Sequence, residues 1–325
     1  MGTEKKPKLQ VAIYWTAACG GCCVSVLDVH EKLLDVIDAA DLVFWPIALD
    51  TKYSDVEAMP DASIDVCLLN GAIRSTENEH MAKLLRKKSK VLVAHGSCAH
   101  LGGIPGLANL TTKEAILRRV YEESESTVNP DRIRPRPETQ VPEGTLDLPT
   151  LYNDVRPLAQ VVDVDYFLPG CPPQTERFIE VFMLIASGAP LPPKGSVVGA
   201  YEKSQCDTCE RKRTENKLVK EFRRTWEIQD DGETCFLEQG IICMGPATRG
   251  GCGARCVKGN MPCTGCYGPT SECSDPGASM ISAIATMIDV EDPEKIRQAV
   301  ARLHDPAGTF YRYGVPNSIL RRSCT

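Results

Sequence analysis

Residues 9–22 have the sequence Leu9-Gln10-Val11-Ala12-Ile13-Tyr14-Trp15-Thr16-Ala17-Ala18-Cys19-Gly20-Gly21-Cys22. The first seven residues form a short run rich in β-branched and aromatic side chains, which predicts a buried strand. The two glycines between Cys19 and Cys22 permit positive φ and close approach of the backbone to a bound group. Apolar residues then recur at roughly helical spacing through residues 24–40. The segment therefore predicts a strand, a cysteine loop and a helix.

The same alternation continues through the first half of the chain. Further strands are predicted at residues 42–49, 66–70, 91–94 and 161–168, and helices at residues 77–88 and 178–185. Alternating strands and helices indicate parallel strands joined by crossover helices, so we predict an α/β fold with a flavodoxin-like, doubly wound parallel sheet. Six prolines without sustained periodicity between residues 122 and 157 predict a long surface connection.

A change in composition predicts a second domain. Prolines 190, 192 and 193 end the first domain, and ten of the sixteen cysteines follow, among many glycines and few strand-like runs. Because so irregular a segment is hard to stabilise by an apolar core alone, bound metal is expected to supply the missing order. We therefore expect a flavodoxin-like domain over residues 1–194 and a smaller, mostly irregular and helical iron–sulfur domain over residues 195–325, with one or two short helices in residues 278–303.

The charge and the hydropathy of the chain exclude several kinds of partner. A formal net charge of −6 and a pI near 5.5 argue against nucleic acid, which is bound through surfaces rich in Lys and Arg. No run of 18 apolar residues predicts a membrane span. Residues 1–10 are polar and rich in lysine, without an apolar signal core. We expect a cytoplasmic protein, in which cysteines are metal ligands or catalytic thiols more often than disulfides.

Twelve of the cysteines fall into three sets of four. The first set is Cys19, Cys22, Cys98 and Cys171, and the others are Cys206, Cys209, Cys235, Cys243 and Cys252, Cys256, Cys263, Cys266. Members of the first set follow three different predicted strands, and the carboxyl ends of parallel strands meet at one edge of a sheet. Four thiolates are the usual ligands of a 4Fe–4S cluster. The spacing thus indicates three such clusters.

Two other interpretations stay open on spacing alone. Two Cys-x-x-Cys pairs, Cys206 with Cys209 and Cys263 with Cys266, can build a zinc ribbon. A ribbon needs four cysteines, however, and eight lie between Cys206 and Cys266. Disulfides are the second alternative. No Ser–His–Asp or Cys–His hydrolase arrangement and no dinucleotide-binding loop accompanies the cysteines.

A family resemblance adds to this pattern. The order Trp15-x-x-x-Cys19-x-x-Cys22, Gly96-x-Cys98 and Gly170-Cys171-Pro172-Pro173 resembles the small subunit of nickel–iron hydrogenases and the related 20-kilodalton subunit of respiratory complex I. The resemblance implies that the first set holds the cluster nearest the active site. It also implies a distal cluster on the Cys206 set and a medial cluster on the Cys252 set. Where many relatives have a proline and a three-iron medial cluster, Cys256 would supply a fourth thiolate.

Residues 237–253 resemble the cytoplasmic, methyl-viologen-reducing type of these hydrogenases, also called F420-non-reducing. The resemblance implies that hydrogen is oxidised on a partner large subunit and that electrons pass through three 4Fe–4S clusters to a heterodisulfide reductase complex, with a small iron–sulfur adaptor subunit. It implies no catalytic metal site on this chain. The alternatives are a quinone-linked subunit like that of complex I, which the eight extra cysteines disfavour, and a zinc-stabilised interaction protein.

Four cysteines and one basic run are left over. We expect Cys23 to be a spectator and Cys67 a buried apolar residue, while Cys273 is a reserve ligand candidate and Cys324 belongs to no set. The basic residues Arg211, Lys212, Arg213, Lys217, Lys220, Arg223 and Arg224 predict the solvated face of a helix, with a docking patch for an acidic redox partner as the alternative.

Overall fold

A parallel sheet organises the first half of the molecule. A computed structural model describes residues 7–214, 219 and 221–320. Its strands are β1 (Leu9–Trp15), β2 (Ala40–Phe44), β3 (Ile64–Asn70), β4 (Ile73–Ser75), β5 (Ser89–His95), β6 (Glu138–Val141), β7 (Gly144–Asp147), β8 (Leu151–Arg156), β9 (Tyr166–Leu168) and β10 (Ser196–Val197). Six of them form one sheet in the order β10-β9-β5-β3-β1-β2, with every pair parallel. This order is the flavodoxin-like one, which confirms the predicted fold class.

Helices cover both faces of the sheet and continue into the second half. They are α1 (Gly21–Leu27), α2 (Leu33–Ala39), α3 (Tyr53–Ala58), α4 (Thr76–Lys88), α5 (Ser97–Leu101), α6 (Lys113–Tyr121), α7 (Thr175–Ser187), α8 (Arg255–Lys258), α9 (Pro276–Met287), α10 (Pro293–Ala301) and α11 (Pro306–Phe310). Short 3₁₀ turns are His30–Lys32, Ile104–Leu110, Leu158–Gln160, Gln205–Thr208, Gly245–Ala247 and Val315–Asn317. Within the described residues, no helix is both long and apolar enough to cross a membrane.

Alternation along the strands builds two apolar layers. Val11 and Ile13 of β1 face one layer, with α1, α2 and α7, whereas Ala12 and Tyr14 face the other, with α3, α4 and α5. Because both faces are covered, the strand is buried along most of its length. This is why the short apolar run at the start of the chain predicts β1 correctly.

The second half has its own apolar core, and its described residues form no sheet of their own. Apolar side chains of residues 219–315 form a third cluster around Phe236, Ile241 and Met280. Short helices begin with a capping aspartate followed by proline: Asp275 caps α9 and Asp292 caps α10. The predicted smaller, irregular and helical second part is thus observed.

Several predicted elements differ from the observed ones. The helix predicted through residues 24–40 is broken after α1, because His30 has φ of +55° in the turn before α2. Of the strand predicted at residues 161–168, only the last three residues form a strand, β9. The valines before it, Val161, Val162 and Val164, lie in a turn and pack against the core from there. The long connection contains the exposed β6–β7 hairpin and β8, which pairs with β4 from an earlier part of the chain.

Candidate functional site

The loops after β1, β5 and β9 meet at the carboxyl edge of the sheet, as the strand order requires. Cys19 lies in the loop after β1 and Cys22 in the first turn of α1, while Cys98 lies in α5 after β5. Cys171 follows β9 and begins a cis Cys171–Pro172 bond. Ser97 ties two of these loops together, because its main-chain N–H and its Oγ both donate to the carbonyl oxygen of Gly170, at 2.7 and 2.8 Å.

The structure brings these four thiols together. Burial, and then the neighbouring Cys98, Cys171 and Cys19, raise the pKa of Cys22 far above its ordinary value. Burial, with Cys171 and Cys19 next, raises the pKa of Cys98 to about 12. Thiols that oppose each other's ionisation in this way become thiolates together only around a positive charge, which iron supplies.

Two glycines, Gly96 and Gly103, lie so close to the cysteine sulfurs that no side chain could fit at either position. Gly96 has φ of +90°, and a Cβ at this position would overlap Sγ of Cys22. A Cβ on Gly103 would lie 2.5 Å from Sγ of Cys98. The backbone therefore approaches the sulfur atoms as closely as only glycine permits. The donor set and this cradle fit an iron–sulfur cluster.

A second group of thiols lies around the 3₁₀ turn Gly245–Ala247. Burial, with Cys243 and Cys235 next, raises the pKa of Cys206 to about 12, and Cys209 contributes after them. The main-chain N–H of Gly245 donates to the sulfur of Cys243. A Cβ on Gly245 would lie 3.0 Å from Sγ of Cys206 and 3.6 Å from Sγ of Cys243.

The third group lies between the other two. Burial, with Cys252 next, raises the pKa of Cys266 to about 12, and Cys256 contributes after them. Burial and then Cys252 also raise the pKa of Cys256. Cys263 is nearest the second group: burial, then Cys243 and Cys266, raise its pKa. Thiols within each set therefore affect each other's pKa, although Cys243 of the second set affects Cys263 more than Cys266 does.

Close contacts connect the three groups in a row. The main chain of Cys171 lies beside the sulfur of Cys266 and lowers the pKa of that thiol, against the larger effect of burial. The N–H of Cys263 donates to Sγ of Cys243 at 3.3 Å. The Oγ of Ser97, which the sequence analysis did not single out, also donates to the carbonyl oxygen of Cys266. Only its place in the Gly-Ser-Cys turn could have drawn attention to it.

The remaining cysteines lie apart from these groups or beside them. Cys67 is fully buried in the sheet core, as predicted, and Cys23 is buried next to Cys22, where Nδ2 of Asn70 donates to its sulfur at 3.2 Å. Cys273 lies near Ser279. Cys324, Lys217 and Lys220 lie outside the described residues. Within the described part of the chain, no group of three or more His, Cys, Asp or Glu side chains is placed to hold a single metal ion.

The prediction of a solvated basic helix face is wrong. Residues 211–214 and 221–224 are not helical, and Arg211 is buried. Its guanidinium lies 3.7 Å from the ring centroid of Phe236 and donates to both carboxylate oxygens of Asp230, at 2.7 and 2.6 Å. This ion pair could not be predicted from the run of basic residues, because the carboxylate that compensates Arg211 lies 19 residues further along the chain.

Comparison with known proteins agrees with this architecture. A family model described as the 20 Kd subunit of NADH ubiquinone oxidoreductase matches residues 19–185. The iron-sulfur subunit of an F420-non-reducing hydrogenase from Archaeoglobus profundus is 40% identical over 97% of this chain and 98% of that protein. The corresponding F420-non-reducing hydrogenase protein from Methanothermobacter marburgensis is 38% identical over 96% of each chain. A [NiFeSe] hydrogenase structure from Desulfovibrio vulgaris Hildenborough, 16% identical, covers 83% of this chain and 96% of its own with a TM-score of 0.51, which supports the fold.

Fold and cysteine pattern together define a small electron-transfer subunit of the type shared by complex I and hydrogenases. The chain belongs to the family of nickel–iron hydrogenase small subunits, among the iron–sulfur subunits of F420-non-reducing hydrogenases, and is therefore a subunit of a hydrogenase.

Proposed function

We propose that this chain carries electrons from hydrogen oxidation on a large subunit through three 4Fe–4S clusters. The proximal cluster would be held by Cys19, Cys22, Cys98 and Cys171, the medial one by Cys252, Cys256, Cys263 and Cys266, and the distal one by Cys206, Cys209, Cys235 and Cys243. The observation that carries the proposal is the pair of contacts between sets: the N–H of Cys263 donates to Sγ of Cys243, and the Oγ of Ser97, next to Cys98, donates to the carbonyl oxygen of Cys266. They support the order proximal, medial, distal.

When bound, each cluster would supply a site that takes up and gives away one electron. The chain's own residues hold these sites at close range and control their surroundings. The N–H groups of Gly245 and Cys263 point at the sulfur of Cys243 and would stabilise negative charge there. Cys243 is buried, whereas Cys263 and Cys266 are half-buried. Such hydrogen bonding and burial tune reduction potentials.

The proximal end is open toward a partner. Cys19 and Cys171 are exposed, and apolar Trp15, Val24 and Leu27, which lie near Cys19 in the sequence, are also exposed. Exposed apolar side chains beside exposed thiols of the set support a large, obligate interface. We propose that this face binds the hydrogenase large subunit.

The downstream end is proposed from the resemblance of residues 237–253. On that basis the distal electrons would pass through a small iron–sulfur adaptor subunit to a heterodisulfide reductase-type acceptor in the cytoplasm. The proposed domains, residues 1–194 and 195–325, are supported by separate apolar clusters, two in the sheet domain and one in the second part.

Subunit separation and thiol removal test the proposal. The isolated chain should be brown and should not reduce methyl viologen under hydrogen, whereas adding the large subunit should restore this reaction. Replacing one thiol in each set, as in Cys19→Ala, Cys209→Ala and Cys266→Ala, should perturb one cluster at a time in the iron and electron paramagnetic resonance analysis. Cys273→Ala is the matched control and should lose no iron. Hydrogen-dependent dye reduction by the pure single chain would contradict this division of labour.

A further inference from the structure

An open groove lies on the second half of the molecule, beside the contact between the medial and distal sets. It encloses about 180 Å³. The groove, which we call the Trp226 groove, is defined by Phe222, Arg224, Trp226, Met261, Cys263 and Arg312. Phe222 is buried and contributes to the wall, whereas Trp226 and Met261 are 78% and 51% exposed. A largely exposed tryptophan next to an exposed methionine is unusual on a free surface and is typical of an interface anchor.

The tryptophan stands on a braced turn. The N–H of Glu227 donates to the carbonyl oxygen of Arg224 at 3.0 Å, and the N–H of Arg224 donates to Oε2 of Glu227 at 2.7 Å. Arg302, which follows α10, contacts both carboxylate oxygens of Glu227 at 3.1 Å and donates through Nε to the carbonyl oxygen of Phe222 at 2.7 Å. The turn therefore presents Trp226 in a preorganised position, which lowers the entropic cost of binding.

The groove is positive although the chain is negative. Arginines 223, 224, 302 and 312 line it, and no acidic side chain lines it among the described residues. Glu221 pairs with Arg223 and Glu227 pairs with Arg302. Arg224 and Arg312 have no ion-pair partner in the part of the chain that the structure describes, and the Arg224 guanidinium lies 5.6 Å from the ring centroid of Trp226. With a net charge of −6 overall, this local excess of positive charge selects an acidic partner.

The groove also reaches one of the cysteines assigned to the medial cluster. Cys263, assigned above to the medial set, lines the groove, and its N–H contacts the sulfur of Cys243 from the distal set. A protein seated here would lie next to both sets. The alternative of a small-molecule ligand is disfavoured, because Trp226 and Met261 are exposed and offer an apolar anchor of the kind found in protein interfaces.

We propose that the Trp226 groove is the docking site of an acidic electron-carrier protein that exchanges electrons with this chain near Cys263. This inference rests on the proposed electron-transfer function and adds the surface and the charge of the partner. Trp226 supplies the apolar anchor, and Arg224 and Arg312 pair with carboxylates of the carrier. One electron moves between carrier and chain in each encounter, and no bond is formed or broken.

Two probes of opposite charge test the proposal on the purified, cluster-containing chain. Reduced plant-type ferredoxin is the acidic probe and donates to the oxidised chain; oxidised cytochrome c is the basic probe and accepts from the reduced chain. Stopped-flow rates are measured between about 0.01 and 1 M ionic strength, over which the screening length falls about tenfold. Trp226→Ala and Arg224→Glu should each slow the ferredoxin reaction at low salt by about tenfold or more. The cytochrome c rates should not change.

The charge control is Arg136→Glu, which reverses an exposed arginine in the surface connection of the first domain and should leave both rates unchanged. Ferredoxin rates that are independent of salt, or equal in Trp226→Ala and the unaltered chain, overturn the docking proposal while the electron-transfer function stands. Size-exclusion chromatography tests whether a second copy of the chain occupies the groove instead. A dimer that Trp226→Ala converts to a monomer would assign the groove to that second copy and overturn the proposal. Purified protein without iron would contradict the proposed function itself, and the inference with it.

Discussion

The main-chain N–H of Cys263 donates to Sγ of Cys243 across 3.3 Å, so a residue of one C-terminal thiol set contacts a sulfur of the other. The Oγ of Ser97, next to Cys98, donates to the carbonyl oxygen of Cys266 and joins the sheet domain to the same row. The account of the protein as an electron path depends on these two contacts.

The close approach of Gly96 to Cys22 predicts that adding a methyl group at position 96 disrupts the proximal site. In Gly96→Ala the new Cβ would overlap Sγ of Cys22, and the residue would also keep an unfavourable φ of +90°. We expect loss of the proximal cluster, about four irons per chain, measured by iron analysis of anaerobically purified protein.

Gly188→Ala is the control for the backbone effect. Gly188 ends α7 at φ of +72°, and a Cβ there meets nothing within 4 Å. It should cost about 1 kcal/mol of stability, since alanine is strained in this region, but no iron. Equal iron content in Gly96→Ala and Gly188→Ala would show that Gly96 does not shape a cluster site.

Cys256 tests the all-cysteine medial site. It lies in the first turn of α8, where a proline is tolerated because the N–H groups of a first turn have no intrahelical partner. Cys256→Pro should therefore stay folded and convert one cluster to the three-iron form, visible in electron paramagnetic resonance of the oxidised protein. If no three-iron signal arises, Cys256 is not the fourth ligand and Cys273 becomes the candidate.

The buried pair of Arg211 and Asp230 predicts a large loss of stability. The hydrogen bonds from Arg211, above all, lower the pKa of Asp230 to about 2. Asp230→Asn removes the charge that compensates a buried guanidinium, which should cost about 3 kcal/mol in the free energy of unfolding in urea at neutral pH. Glu233→Gln, which removes the partner of exposed Lys212, is the control and should cost less than about 1 kcal/mol.

The pair of Arg211 and Asp230 also predicts how the free energy of unfolding changes with pH. A carboxylate with a lowered pKa contributes stability above its unfolded pKa of about 3.9 and loses it as the pH falls toward the folded value. The difference between the unaltered chain and Asp230→Asn should therefore be constant above about pH 5 and shrink between about pH 4 and pH 2. A difference that grows on acidification would contradict this assignment.

Most of the sheet could be predicted from the sequence because its strands are buried on both faces. β1 is predicted to the residue, and the helix at residues 77–88 matches α4, whose N-cap Ser75 accepts from the N–H of Asn78. The sequence pattern did not predict elements whose structure depends on contacts with distant parts of the chain. The valines at 161–164 have strand-like composition but fill the core from a turn, and the connection gains the β4–β8 pair from residues about 80 positions apart.

The site divides in the same way. Grouping of the cysteines by spacing agrees in part with the thiols that affect each other's pKa, since Cys263 is affected by Cys243 of the second set more than by Cys266 of its own. The contacts between groups could not be predicted, since the N–H of Cys263 contacts a sulfur 20 residues earlier in the chain, and the Oγ of Ser97 reaches Cys266 only when the second part packs on the first. The burial of Arg211 was missed for the same reason, as its carboxylate partner lies outside the local pattern.

Mössbauer spectroscopy of the isolated chain grown on iron-57, combined with total iron analysis, tests the central claim most directly. The account predicts about twelve irons per chain, all in 4Fe–4S form, with broad visible absorbance that bleaches on reduction. A colourless chain with stoichiometric zinc, or iron confined to one cluster, would contradict it.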